Sequence, residues 1–159
     1  MQKSTMALGA VLLTLALFTA LFLILGTLGA EMTVTTASAA DHVQAFSEVL
    51  RVLDSGAAPR RFSDSIPRSA DECRLEDVRI ALHNPGLIPA EWISAAVEPA
   101  PEDLAVYSVT GEGETIEGLG RGEINLKLIT RANFPGPRVC RVTYYIFGMK
   151  REIRVQEKG

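Results

Sequence analysis

TLALFTALFLILGTLGAEMTVTTASAADHVQAF, Thr14 to Phe46, begins as hydrocarbon and ends as an ordinary polar chain. Its reading decides the fold. One reading is a signal peptide, with an A-x-A cleavage site at Ala37-Ser38-Ala39. The other is a single helix that leaves a membrane and carries on into water. The run from Met6 to Ala30 holds no charge. It exceeds the ~20 residues that cross a bilayer as a helix, and a signal peptide's apolar region is only ~7–15 long. Beyond Glu31, the residues Met32, Thr36, Ala39, Val43, Phe46, Leu50 and Leu53 follow one another at alternating steps of four and three. That is a heptad-like stripe. Gln44, Ser47, Glu48 and Arg51 fall off it. A cleaved signal has no reason to be followed in register by such a stripe. The expectation is therefore one uncleaved helical element over residues 1–54, with Asp54-Ser55-Gly56 as its stop. Lys3 lies before the apolar run and Glu31 and Asp41 after it. This places the N-terminus in the cytoplasm and the C-terminal domain outside, as a single-pass protein of the cell membrane. The apolar stripe Val43, Phe46, Leu50, Leu53 would be costly to leave in water. It is expected to bury against other subunits or against the protein's own domain.

Residues 55–72 read as a linker. Pro59, Pro67 and short polar residues mark a loop over a surface, with Phe62 and Ile66 as its anchors. From Cys73 the period changes to two. In CRLEDVRIALH, Val78, Ile80 and Leu82 alternate with Asp77, Arg79 and Ala81, and Asn84-Pro85-Gly86 ends the strand. Further strands are expected at Glu91–Glu98, Leu104–Thr110, Ile124–Thr130, Arg138–Phe147 and Arg151–Gln156, with a short one at Thr115–Glu117. Turn clusters separate them, Asn133 to Pro137 among these. Short strands at this spacing, half-buried in pattern, suggest an antiparallel β-sandwich over residues 73–159. The fold class is thus α+β, a long N-terminal transmembrane helix followed by an antiparallel, Ig-like sandwich.

The net charge of −3 shows no basic patch of the kind nucleic acid requires, so no nucleic-acid partner is expected. The two cysteines, Cys73 and Cys140, sit in no CxxC or Cys/His cluster. In an exported domain they are most simply one disulfide. His42 and His83 have no ligand partner at metal-binding spacing and read as solvated or packing residues. Glu112, Glu114, Glu117 and Glu123 lie among glycines. They could offer oxygens to calcium, but they match no calcium-loop pattern and read as a soluble turn. GEGETIEGLGRG lacks the Lys-Ser/Thr ending of a phosphate loop. No catalytic, cofactor or metal residue is assigned, and no enzyme is expected. Trp92, Tyr107, Tyr144, Tyr145 and Phe147 read first as core and cross-strand pairs and second as an interface. Ala16 with Ala20, and Gly26 with Ala30, could let a neighbouring helix approach.

The strand and turn VRIALHNPG and the segment GLGRGEINLKLIT resemble stretches of archaeal type IV pilin-like proteins. That group includes the membrane-anchored, Ig-like stator proteins of the archaellum. The resemblance implies a structural subunit of an envelope filament or of its stator. Such a subunit would join homo- or hetero-oligomers with other envelope proteins through the N-terminal helix. The alternative is an anchored binding or accessory module of another envelope complex. Assembly predicts that the Val43–Leu53 stripe is buried against other copies; a lone module predicts that it folds onto its own sandwich.

Overall fold

The computed structural model describes residues 2–25, 27–133 and 136–157, and the side chains of helix α1 at Gly9 and residues 11–21 only. Its elements in chain order are α1 (Gln2–Leu25), β1 (Gly29–Ser38), α2 (Val43–Asp54), the two-residue β2 (Arg60–Arg61), β3 (Cys73–His83), β4 (Glu91–Val97), β5 (Asp103–Thr110), β6 (Arg121–Arg131), β7 (Val139–Ile146) and β8 (Met149–Gln156). All strand pairs are antiparallel. One sheet runs β1-β3-β6-β5-β2 and the other β4-β7-β8. With β2 set aside, these are the two strand orders of a constant-type immunoglobulin sandwich.

The single long helix is overturned. α1 ends at Leu25, and residues 29–38 are a strand paired along its whole length with β3. Ala30, Met32 and Val34 alternate toward the space between the sheets. The run Thr33-Val34-Thr35-Thr36 is β-branched, and β-branched residues suit a pleated surface better than a helix. The heptad spacing before Val43 was therefore a coincidence of a period-two strand joined to a short helix. Among the described residues no helix is long and apolar enough to cross a membrane. That finding removes the transmembrane helix and the single-pass cell-membrane location. The expected roles of Lys3, Met6 and Gly26 fall outside the described side chains.

The inner core lies between the sheets. Val78, Ile80 and Leu82 of β3 and Ile124, Leu126 and Leu128 of β6 meet Ile93, Val142, Tyr144 and Ile146 from the other sheet. A second cluster lies on the outer face of the five-stranded sheet. There Phe46, Val49 and Leu53 of α2 cover Cys73, Leu75, Leu104, Ala105 and Ile129. In β3 the inward positions are even-numbered from Glu76 to Leu82, and Cys73 and Leu75 face the helix. A bulge between Asp103 and Ala105 lets both Leu104 and Ala105 join the helix side. The linker is anchored in both layers, by Phe62 on the inner core and Ile66 on the outer cluster.

Candidate interaction surface

The stripe is consumed at home. Phe46 and Leu53 are buried under α2, Leu50 is partly buried, and Val49 takes the place expected of Val43, which is 62 % exposed. The helix therefore docks through Phe46, Val49, Leu50 and Leu53, a tighter i, i+3, i+4, i+7 stripe.

Cys73 and Cys140 are both buried free thiols. The expected bridge is not formed, because the two face different layers. Cys73 points to the outer face under α2, and Cys140 to the inner core. Burial raises the Cys73 thiol above its ordinary range and pushes Cys140 up to about 12.

The acids of the glycine-rich stretch disperse. Glu112 Oε1 accepts the Ala95 backbone N–H at 2.9 Å. Glu123 accepts from Arg79 Nε at 2.6 Å and Asn125 Nδ2 at 2.9 Å, which hold its carboxyl below the usual range, the Asn125 bond contributing most. Among the described residues no three ligating side chains converge on a metal position. His42 is exposed, and His83 Nδ1 lies 3.3 Å from the Gly120 carbonyl.

A buried charge cluster was missed. Arg138 leads into β7 and is 2 % exposed. Its Nε donates to Glu76 Oε2 at 2.6 Å and its Nη1 to Asp103 Oδ2 at 2.9 Å. Its pKa is raised: desolvation would lower it, and the bonds to Asp103 and Glu76 outweigh that. Asp103 Oδ2 also accepts the Ala100 N–H at 2.8 Å. The trio ties the two sheets at one end. Its signal was present in CRLEDVRIALH, where Glu76 occupies the same face as Val78, Ile80 and Leu82.

The opposite end carries the apolar surface. Leu87, Trp92, Leu119, Phe147 and Met149 are exposed there. They sit on the loop after β3, the start of β4, the loop before β6 and the β7–β8 turn. Asn84 holds two of these loops together. It is buried, its Nδ2 donates to the carbonyls of Ile88 at 2.7 Å and Ile116 at 3.2 Å, and its Oδ1 accepts the Gly86 N–H at 3.1 Å. Leu119 N donates to Gly86 O at 2.8 Å, and a Cβ on Gly118 would stand 2.5 Å from Leu87 O. Leu87 and Leu119 are thus neighbours. Glu91, Trp92, Tyr145 and Gly148 line one shallow hollow. Of the aromatics singled out in the sequence, Tyr144 is core, Tyr107 packs near α2, and Trp92 and Phe147 face outward.

Three of these outward residues occupy the left-handed region: Trp92 at φ 52°, Leu119 at 60° and Phe147 at 50°. Trp92 lies where the β4–β7 register shifts. Phe147 and Gly148 form a two-residue hairpin loop with both φ positive, where Asn-Gly is the favoured pair. Bulky residues at such positions cost about 1–2 kcal/mol each. Strain of this kind concentrates at functional surfaces.

No family model matches the chain, and no curated protein matches it. Several solved structures are similar in part, two of them as follows. The GAE domain of yeast GGA1 has 12% identity and a TM-score of 0.38, over 59% of this chain and 96% of that one. A FixG-related protein from Vibrio parahaemolyticus has 13% identity and a TM-score of 0.34, over 82% of this chain and 97% of that one.

Proposed function

We propose that the protein is a non-catalytic subunit of a larger assembly, with the apolar end of its sandwich as the contact surface. The observation that carries this is the trio Trp92, Leu119 and Phe147, exposed and held at positive φ where small or polar residues fit best. α1 approaches the same end. Leu28, three residues past its last residue, donates its backbone N–H to Tyr144 Oη at 3.1 Å beside that hairpin. Val11, Leu13, Leu15, Leu17 and Phe18 of α1 are also exposed, and a helix apolar all round is normally covered by other chains or a larger core. A second reading, an accessory or binding module, is favoured by α2, whose stripe covers the chain's own sheet instead of another copy.

The test replaces Trp92→Asn, Leu119→Gly and Phe147→Asn together. Relief of the left-handed strain should raise the melting temperature by about 6–12 °C, at about 1 kcal/mol per relieved position. The native complex in sedimented cell extract should at the same time shrink toward the monomer. A stabilised variant with unchanged complex size would show that the residues merely decorate turns, and the reading would fail.

A further inference from the structure

The sandwich's free edges differ. β4 is closed: Gly113 N–H donates to Ile93 O at 2.7 Å, Ile93 N–H to Glu114 O at 3.3 Å, and Glu112 takes the Ala95 N–H. β8 carries Lys150, Arg151, Glu152 and Arg154, and β2 is only two residues long. Charges, caps and short length are the devices by which natural sheets avoid pairing edge to edge. β1 has no such cap and is not short. It is ten residues long, unbroken in register and bears Glu31 as its one charge.

The backbone direction of β1 follows from its end. Ala39 N–H donates to Cys73 O at 3.2 Å, continuing the β1–β3 register. Odd-numbered residues therefore bond β3, and the even ones, Ala30, Met32, Val34, Thr36 and Ser38, turn their N–H and C=O to the free side. An antiparallel copy centred on Val34 would pair Val34 with Val34, Met32 with Thr36 and Ala30 with Ser38. All five outward residues would exchange bonds, about ten in total. Between them Thr33 would face Thr35, a favourable cross-strand pair. Glu31 would face Ala37, so no carboxylate meets another.

We propose that β1 is a self-association edge, on which a second copy of this chain docks antiparallel about a twofold axis at Val34 and joins the two five-stranded sheets into one. This goes beyond the assembly reading, because it uses a different surface. The full chain carrying Thr33→Cys and Thr35→Cys places facing thiols across the axis and none facing within one chain. Mild oxidation should give a reducible covalent dimer, and the unsubstituted chain should give none. Adding Thr36→Pro removes an outward N–H without touching the β3 ladder, and should cut the dimer yield at least tenfold while leaving the melt unchanged. If that proline lowers the melt, Thr36→Lys, a charge on the same edge, replaces it with the same expectation. The Trp92, Leu119, Phe147 variant should keep the cross-link, so the two proposals fail separately. No covalent dimer, or an equal yield with Thr36→Pro or Thr36→Lys in a folded chain, overturns the edge.

Discussion

The five-stranded sheet has two faces, and they are built on different principles. Its inner face is covered from β3 to β5 by the second sheet and is apolar until its end, where Arg138 meets Glu76 and Asp103. Its outer face is covered only at one end, by α2, and beyond Leu75 and Ile129 it turns polar, with Asp77, Arg79 and Lys127 exposed. The first is a layer of two sheets that cannot open in part. The second is a lid of one short helix, held by three buried side chains and a salt bridge at its tail. The same strand serves both, because its odd-numbered residues, Cys73 and Leu75 among them, face outward and its even-numbered residues inward. A sheet with one deep and one shallow layer should lose stability globally when the first is damaged and locally when the second is.

The largest effect should come from the charged end of the inner layer. Arg138→Ala leaves Glu76 and Asp103 buried, close together and without their cation. Breaking a buried pair in this way costs about 3–5 kcal/mol. The cost should appear in the global unfolding transition by denaturant, with an unchanged slope. A loss below ~1 kcal/mol would mean that water reaches the trio and that the inner layer is not closed at this end.

The helix lid comes next. Leu53→Ala removes a fully buried side chain and should cost about 2–5 kcal/mol, while Val43→Ala, on the exposed side of the same helix, should change stability by less than ~0.5 kcal/mol. The ratio of the two is the measurement. Equal effects would return the stripe to the spacing that begins at Val43 and would remove α2 from the outer face.

The strands from Cys73 onward were legible because β3 and β7 alternate buried with more exposed positions, and turn residues such as Asn84-Pro85-Gly86 separate the strands. β6 and β7 lie close to where the alternation of INLKLIT and RVCRVTYYIF puts them. β1 was hidden by an accident of arithmetic. Met32, Thr36 and Ala39 satisfy a helical spacing while Ala30, Met32 and Val34 satisfy a strand's, and the polar positions between are threonines, compatible with either. Residue type should have outweighed spacing there. The Arg138 trio needed a three-dimensional fact, that β5 brings Asp103 opposite Thr130 on the inward face of β6. The strained surface residues were invisible as such, since a backbone angle at Trp92 or Phe147 depends on the bulge and the hairpin around it. Only the Phe147-Gly148 pair, a turn with its first residue too large, carried a hint.

The thiols report the two layers directly. Burial raises both, Cys140 to about 12, so neither native thiol is nucleophilic near neutral pH. A thiol reagent should reach Cys73 through opening of α2 and Cys140 only through global unfolding. Phe46→Ala should therefore speed labelling of Cys73 by at least tenfold beyond any change at Cys140. Two thiols that label together in every variant would show one cooperative core, and the distinction between the faces would fall.

The smallest effect concerns the tail of the lid. Arg68 donates from Nη1 to Asp54 Oδ2 and from Nη2 to Asp54 Oδ1, both at 2.8 Å, tying the end of α2 to the linker. The Arg68 bond holds the Asp54 carboxyl below its ordinary range. A carboxyl depressed in the folded state contributes stability above its unfolded value, near 3.9, and the contribution is lost as pH falls through the lower folded value. Both side chains are exposed, so salt screens the pair and its worth is small. Asp54→Asn should therefore leave the global melt nearly unchanged at neutral pH. In low salt it should speed Cys73 labelling slightly, and that difference should vanish once the pH falls below the depressed folded value of Asp54, or in molar salt. A difference that persisted in molar salt would mean that Asp54 acts on the helix end by some route other than its charge, and the tail of the lid would then be held by packing alone.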